Sequence, residues 1–282
     1  MRARLLVMAA AVLFSSGGAA IKSTTLTAWQ VASFRSAIAA IAILFMLRGA
    51  RRIPDRATWM VGVIYALTMV LFVVANKLTT AANAIYLQAT APLYILLVAP
   101  FLLREPVKRV DLLFMGALGL GLGAFFMGQD TASGTAPNPG LGNMAALASG
   151  VTWAGTVIGL RWLGRRSGDP RATEPSLVAG NVVAALATLP LALPVVTFSS
   201  TDIFILLFLG VFQIGLAYVC LSSGIGGVPA LEASLLLLLE PVLNPVWAWL
   251  VHGEVPTGWA LVGAAIIMVA TTIRTLWDVR GS

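Results

Sequence analysis

The sequence predicts an all-α membrane protein of ten transmembrane helices, arranged as two inverted five-helix repeats around a central cavity. Three observations lead to this fold class. Of the 282 residues, 59% are hydrophobic and only 10% are charged, which is too little polar surface to cover a soluble core. Apolar runs near the ~20 residues that a helix needs to cross hydrocarbon recur along the whole chain. The second half of the chain also resembles the first.

The apolar runs are separated by short clusters of proline, glycine and polar residues. No alternation of period two occurs along them, so helices are predicted and not a membrane barrel. The first run has the basic start of a secretory signal, but its match to an internal segment favours a retained helix. The ten predicted spans are 4–22, 27–48, 57–77, 81–103, 109–128, 141–161, 174–196, 201–223, 229–251 and 256–277.

The net charge of +7 is distributed as expected for a membrane protein and not for one that binds nucleic acid. With a cytoplasmic N-terminus, fifteen of the 18 Lys and Arg residues fall on the cytoplasmic side of the predicted spans. Lys22 and Lys77 fall on the other side, and Arg35 lies within a span. This bias places both termini in the cytoplasm.

The repeat is visible in two proline-bearing segments, 84–105 and 233–254. The aligned pairs, each 149 positions apart, are Pro92 and Pro241, Ala84 and Ala233, and Glu105 and Glu254. Upstream, Phe14 to Lys22 covers the same eight positions as Trp153 to Arg161. We therefore predict a first repeat at 1–127, a connecting loop at 128–140 and a second repeat at 141–282. Because five spans are an odd number, the second repeat crosses the membrane in the opposite sense, as in transporters that alternate access.

Glu240 is the most unusual residue of the ninth predicted span. Together with Asn244 and Trp247 it lies on one side of a helix, and this side should face the bundle interior. A charge at the centre of a bilayer costs roughly 2.5–3.5 kcal/mol. Glu240 is either a substrate or proton site, or a protonated or paired structural carboxylate near a helix break.

Arg35 raises the same question in the second predicted span, since its guanidinium keeps its charge at any depth. The favoured interpretation is a structural pairing with a carboxylate or with helix carbonyls. Capture of a substrate carboxylate is the alternative.

Four other polar or aromatic residues within the spans are candidates for the same cavity. Asn76, Gln88 and Tyr218 either bind substrate or only hold helices together by hydrogen bonds. Trp153 lies at mid-span, away from the interfacial belt where tryptophan usually anchors, and is a candidate to line the cavity.

The sequence offers little for catalysis or metal binding. Cys220 is the only cysteine and His252 the only histidine, so no cluster at ligand spacing exists and neither a metal site nor a cofactor is predicted. No phosphate-binding glycine loop or nucleophile elbow occurs. A multispan membrane enzyme would need converging ionisable groups, and the predicted loops are short; no enzyme is expected.

The ordered set of motifs resembles the drug/metabolite transporter superfamily, EamA type. The resemblance rests on the two repeats, on Trp153 with Arg161, on the SFR string at 33–35 and on the segments 91–105 and 240–254. It implies a cavity built from both repeats, with Trp153 in it, and a likeness to aromatic amino acid exporters. The chain departs from that pattern before Pro92, where it has Gln88-Ala89-Thr90-Ala91 instead of further aromatic residues.

Taken with the resemblance, these residues predict export of amino acids, aromatic ones above all, across a bacterial inner membrane by alternating access. The cargo stacks on Trp153 and Tyr218 and is oriented by Gln88, Asn76 and Asn244. The runner-up cargo is a phosphorylated or nucleotide-linked metabolite, and a channel is a further alternative. The expected partners are a small-molecule substrate and the lipid bilayer, and the sequence is compatible with a monomer.

Overall fold

The computed structural model describes residues 2–102, 109–127, 133–225, 236–237 and 239–280, and these residues are almost entirely helical. Glu105 and Ala233 of the aligned segments lie outside the described residues. Two short 3₁₀ turns occur at Gly49–Arg51 and Pro170–Thr173. The α-helices are α1 (Arg2–Ser15), α2 (Gly17–Lys22), α3 (Ala28–Met46), α4 (Arg56–Leu78), α5 (Ala81–Gln88), α6 (Ala91–Leu102), α7 (Arg109–Met127), α8 (Pro139–Ser167), α9 (Glu174–Ala192), α10 (Ser200–Leu207), α11 (Ala217–Ile225), α12 (Leu239–His252) and α13 (Gly258–Arg280).

Six helical stretches of the described chain are long and apolar enough to cross a membrane. They are Arg2–Lys22, Ala28–Met46, Arg56–Leu78, Pro139–Ser167, Arg171–Ala192 and Ser200–Gly224. Two shorter apolar stretches lie at Leu112–Ala124 and Gly258–Ala270, within the fifth and tenth predicted spans. The fourth predicted span is divided between α5 and α6, and the ninth is described only in part. The all-helical membrane fold is confirmed, whereas the count of ten spans and their inverted arrangement stay predictions.

Polar caps fix where many of these helices begin. Each capping side chain accepts a hydrogen bond from a backbone N–H three residues later, which satisfies one of the unpaired donors of the first turn. The caps of this kind are Thr27 before α3, Asp55 before α4, Thr80 before α5, Asn138 before α8 and Ser199 before α10. At the other end of α8, Gly168 adopts φ +66°, a left-handed conformation that stops the helix.

Two predicted spans are interrupted for reasons that the local sequence explains. Between α1 and α2, the hydroxyl of Ser16 donates to the Leu13 carbonyl at 2.6 Å, next to two glycines. Between α5 and α6, the hydroxyl of Thr90 donates to the Leu87 carbonyl at 2.6 Å, two residues before Pro92, which has no N–H to continue the helix. A third irregularity, the π-helical stretch Phe208–Leu216 between α10 and α11, has no such signal in its sequence.

The connecting segments gather at two ends of the bundle. At one end Arg52 Nη1 lies 2.6 Å from Asp169 Oδ2, and Arg166 lies 3.6 Å from Asp55. A hydrogen bond from Arg52 and its positive charge hold the pKa of the Asp169 carboxyl below its usual range. The segment after α3 and the C-terminal end of α8, both of which carry arginines, therefore lie together.

At the other end Lys22 Nζ lies 2.9 Å from Glu254 Oε1 and donates to the Thr79 carbonyl at 2.7 Å. The N–H of Asn138 donates to the Leu78 carbonyl nearby. The 29 residues of α8, about 43 Å of helix, run from this end to the Arg52 end. The segments after the first and the sixth predicted spans consequently lie at opposite ends of the bundle.

Helices of the two predicted halves pack against each other in exchanged pairs. α4 packs on α8 and α1 packs on α11, while α3 contacts α9 and α7 contacts α13. Under the predicted alignment of the halves, α4 corresponds to α11 and α8 to α1, so the pairs α4–α8 and α1–α11 are equivalent. The pairs α3–α9 and α7–α13 each join two helices that correspond to each other. Both halves thus enclose the same central space.

Candidate functional site

A cavity of about 520 Å³ lies between helices of both halves. Its wall is mainly apolar, with a few polar groups, as is usual for small-molecule sites. Five of the seven predicted site residues line it: Arg35, Gln88, Trp153, Tyr218 and Glu240. The apolar part of the wall includes Phe14, Met69, Phe72, Phe114 and Met268.

Trp153 is carried by α8, with Val157 one turn further along the same wall. The neighbouring glycines, Gly150 and Gly155, allow other helices to approach α8 closely. A methyl group at Gly150 would lie 3.2 Å from the Leu87 and Gln88 carbonyls, and one at Gly155 would lie 3.0 Å from Ile64. Close packing of α8 on α5 and α4 therefore fixes the position of the indole.

Tyr218 belongs to a cluster of three aromatic rings beside the cavity. Its ring meets that of Phe14 edge-on at 5.2 Å and that of Tyr65 at 6.0 Å. The Tyr65 hydroxyl in turn accepts a hydrogen bond from Asn181 Nδ2 at 3.4 Å. Neither Tyr65 nor Asn181 is singled out by the sequence analysis, although each is a polar group in the middle of an apolar run, which is the signal that marks Gln88.

Arg35 is almost completely buried, with 1% of its surface exposed, yet it forms no ion pair with any residue that the structure describes. Its Nη2 donates to the Met69 carbonyl at 3.3 Å, and its Nε has no hydrogen-bond partner in the described chain. Two structural partners were considered for Arg35, a carboxylate and a helix carbonyl. Among the described residues it is paired with a helix carbonyl and with no carboxylate. A buried guanidinium with a free donor on a cavity wall can bind an anion.

Glu240 lies in the first turn of α12 and lines the same cavity. Within the described ranges its carboxylate contacts neither a cation nor a hydrogen-bond donor. Arg35, on α3, lines the same cavity as Glu240 and Tyr218. The cavity therefore holds one group for an anion and one for a cation, both without a protein counter-charge in the part of the chain that is described.

Two glutamines add neutral hydrogen-bonding capacity. Gln88 Nε2 donates to Ser149 Oγ at 2.6 Å, so this side chain both ties α5 to α8 and lines the cavity. Gln213, on the π-helical stretch, donates to the Phe14 carbonyl at 3.4 Å, and its Oε1 has no hydrogen-bond partner among the described residues. Gln213 is absent from the predicted site, although it lies inside the eighth predicted span.

The other two predicted site residues are not on the wall. Asn76 and Asn244 are both fully buried and meet at Gly18, one turn beyond Phe72 and Glu240 in the direction of Lys22. Trp247 continues the same side of α12 and donates to Ser15 Oγ at 2.9 Å. In this form of the protein, Asn76 and Asn244 cannot contact a molecule in the cavity.

The cavity is therefore closed towards the Lys22 end and extends towards the Arg52 end. In the latter direction its wall continues to Ile95 and Leu221. The closing side carries the Lys22–Glu254 pair and a hydrogen bond from the Ala81 N–H to Glu254 Oε2 at 2.9 Å. In the described chain, no group of three or more His, Cys, Asp or Glu side chains is placed to hold a metal ion.

Relatives are recognisable over the whole length of the chain. The model of the EamA-like transporter family matches residues 1–128 and 140–276. Two curated proteins are 27% identical over 274 residues, 94% of this chain and 93% of their own length. They are the pseudopaline exporters CntI of Pseudomonas aeruginosa strains UCBPP-PA14 and PAO1.

A solved structure titled "Crystal structure of protein" shares the fold, with a TM-score of 0.66 at 20% identity over 99% of this chain and 98% of that one. The two matches to one family model account for the likeness between the halves of the sequence. The chain belongs to the EamA-like transporter family and is a multi-pass membrane transporter.

Proposed function

We propose that this transporter exports amino acids, aromatic ones above all, and related small metabolites from the cytoplasm by alternating access. The observation that carries the proposal is one cavity wall with an indole, a phenol and two opposite charges that have no charged partner among the described residues: Trp153, Tyr218, Arg35 and Glu240. An amino acid offers a counterpart to each of these groups.

The chemistry of such a complex follows from the free groups. The Arg35 guanidinium binds the carboxylate of the cargo, because hydrogen bonds between two charged groups are stronger than those that neutral side chains form. Glu240 takes the ammonium. The side chain of the cargo lies against Trp153, where an aromatic ring gains about 0.5–1.5 kcal/mol beyond its buried area. A zwitterion thus leaves neither buried charge uncompensated.

Alternating access is supported by the arrangement of the helices. The exchanged pairs α4–α8 and α1–α11 are those expected of two repeats in opposite orientation. The arginine-rich end, with Arg52 and Arg166, is then cytoplasmic and the Lys22 end periplasmic, in a bacterial inner membrane with both termini inside. In this orientation the structure has the form that is closed to the periplasm.

Two other cargoes are weighed against this one. The likeness to pseudopaline exporters over nearly the whole chain makes pseudopaline a second candidate. A phosphorylated or nucleotide-linked metabolite is disfavoured, because Arg35 is the single basic residue on the described wall and a phosphate usually requires several.

Counterflow in proteoliposomes tests the proposal. Vesicles are loaded with unlabelled solute, and uptake of labelled phenylalanine, tryptophan, pseudopaline, a nucleoside and a sugar phosphate is compared. We expect aromatic amino acids to exchange and Trp153→Ala to lose most of that exchange. Trp59→Ala, which removes a 42% exposed indole from the outer surface of α4, is the matched control. Exchange of pseudopaline or the sugar phosphate without any aromatic amino acid would overturn the assignment.

A further inference from the structure

Gly18 lies where helices of both halves meet, at the closed end of the cavity. It is on α2, and α2 contacts α4, α5 and α12. A methyl group at Gly18 would lie 2.8 Å from Asn244 Oδ1, 2.9 Å from Asn76 Oδ1 and 3.0 Å from the Ala81 side chain. An added methyl at this point would therefore require the ends of both amide side chains to shift.

The two amide groups at this contact are not satisfied. Asn76 Nδ2 donates to the Phe72 carbonyl at 2.9 Å, but its Oδ1 has no partner, and neither Asn244 Oδ1 nor Nδ2 has one in the described chain. Both side chains are 0% exposed. Buried amide atoms without hydrogen bonds cost free energy, so this contact destabilises the closed form.

Other bonds hold the contact closed in spite of this penalty. Lys22, one turn after Gly18, pairs with Glu254 at 2.9 Å and donates to the Thr79 carbonyl. Glu254 also accepts the first N–H of α5, from Ala81. The two bonds to Glu254, from Lys22 and from Ala81, join the predicted first half to the predicted second half across the closed end.

We propose that Gly18, Asn76 and Asn244 form an outer gate, and that the two amides are a release subsite for the polar head group of the cargo. When α12 moves away from α2, the unsatisfied amides become exposed one turn beyond the cavity and bind the ammonium and carboxylate as the cargo leaves. The Lys22–Glu254 pair is the latch of this gate. The release subsite rests on the proposed function for its cargo and for the direction of transport, whereas the gate itself does not.

The gate can be tested without any cargo, by measuring a distance across it. Spin labels are attached at Ser133→Cys and Val255→Cys in a Cys220→Ser background, in protein reconstituted into lipid nanodiscs. Both positions are exposed: Ser133 lies in the connecting loop near Lys22, and Val255 directly follows Glu254. Double electron–electron resonance spectroscopy then measures the distance between the labels. A short distance represents the closed population and a long distance the open one.

Two variants should shift these populations in opposite directions. Gly18→Ala forces the amides apart and should increase the long-distance population at least tenfold. Asn244→Leu removes the unsatisfied atoms from the closed form and should decrease that population about tenfold while slowing counterflow. Gly119→Ala, at a helical glycine with nothing within 4 Å of the added methyl, should leave the distribution unchanged.

The outcomes separate the gate from the transported solute. An unchanged distance distribution in Gly18→Ala, or a longer distance in Asn244→Leu, would overturn the gate whatever the cargo is. If the distances shift as expected but counterflow by Asn244→Leu keeps its normal rate, the release subsite is wrong and only the gate stands. Failure of every amino acid to exchange in the native protein would count against the proposed function and leave the distance result intact.

Discussion

Gly180→Ala is the substitution whose cost can be worked out most directly from the structure. α9 crosses α4 at this residue, and an added methyl would lie 2.5 Å from the Gly62 carbonyl oxygen and in contact with the Tyr65 ring. On the facing helix, a methyl at Gly62 would lie 3.0 Å from the Gly180 nitrogen. Because the obstacle is backbone on both sides, it cannot turn aside as the end of a flexible side chain does.

The magnitude is a difference between two effects. Overpacking of a rigid contact costs about 1–3 kcal/mol. Replacing a helical glycine by alanine returns up to about 1 kcal/mol of helix propensity. We therefore expect a net loss of about 1–2 kcal/mol in the free energy of unfolding, a factor of roughly 5–30 in the ratio of folded to unfolded protein.

Thermal unfolding in a single detergent measures this loss, with Gly119→Ala as the control that gains the propensity without the clash. The expected result is a lower Tm for Gly180→Ala and an equal or higher Tm for Gly119→Ala. Equal stability of the two variants would show that α4 and α9 are not packed as closely as described.

Three further predictions concern orientation, recognition and pH. Single cysteines at Thr25 and Ser167, in a background without the native thiol, should react with an impermeant maleimide from opposite sides of the membrane; reaction from one side would end the inverted arrangement. Glu240→Gln should reduce the preference for phenylalanine over N-acetylphenylalanine in counterflow, and a preserved preference would remove the ammonium contact. The pKa of Asp169 is lowered by Arg52, so its contribution to stability is present at neutral pH and is lost as the pH falls through the lowered value. Asp169→Asn should therefore flatten the acid side of the stability profile slightly, since the pair is exposed.

The helical class and the helix starts could be read from the sequence because both have local causes. Apolar length predicts a membrane helix, and capping residues such as Thr27 and Asp55 mark the first turns. The breaks were harder to predict. The division at Thr90 depends on a hydroxyl bonding back to the chain next to Pro92, whereas the π-helical stretch, which packs against α3, has no local signal in its sequence.

Candidate site residues were predictable to the extent that polarity within an apolar run identifies them. This signal correctly identifies Glu240 and Arg35 as residues of the cavity wall. It does not indicate which turns of each helix line the cavity. Asn76 carries the same signal and lies one turn too far along, under Gly18. Gln213 carries the same signal although it is absent from the predicted site, and it reaches the cavity from the π-helical stretch.

The length of α8 has a consequence for the membrane in which the protein works. Its 29 residues, about 43 Å, exceed a hydrocarbon layer of about 30 Å, so the helix must tilt or protrude. Arg166 stacks on Trp162 at 5.5 Å in its last turns, a pairing suited to the headgroup region. Bilayer thickness should therefore set the inclination of α8, and with it the depth of Trp153, so that acyl-chain length alone can tune the turnover of the carrier.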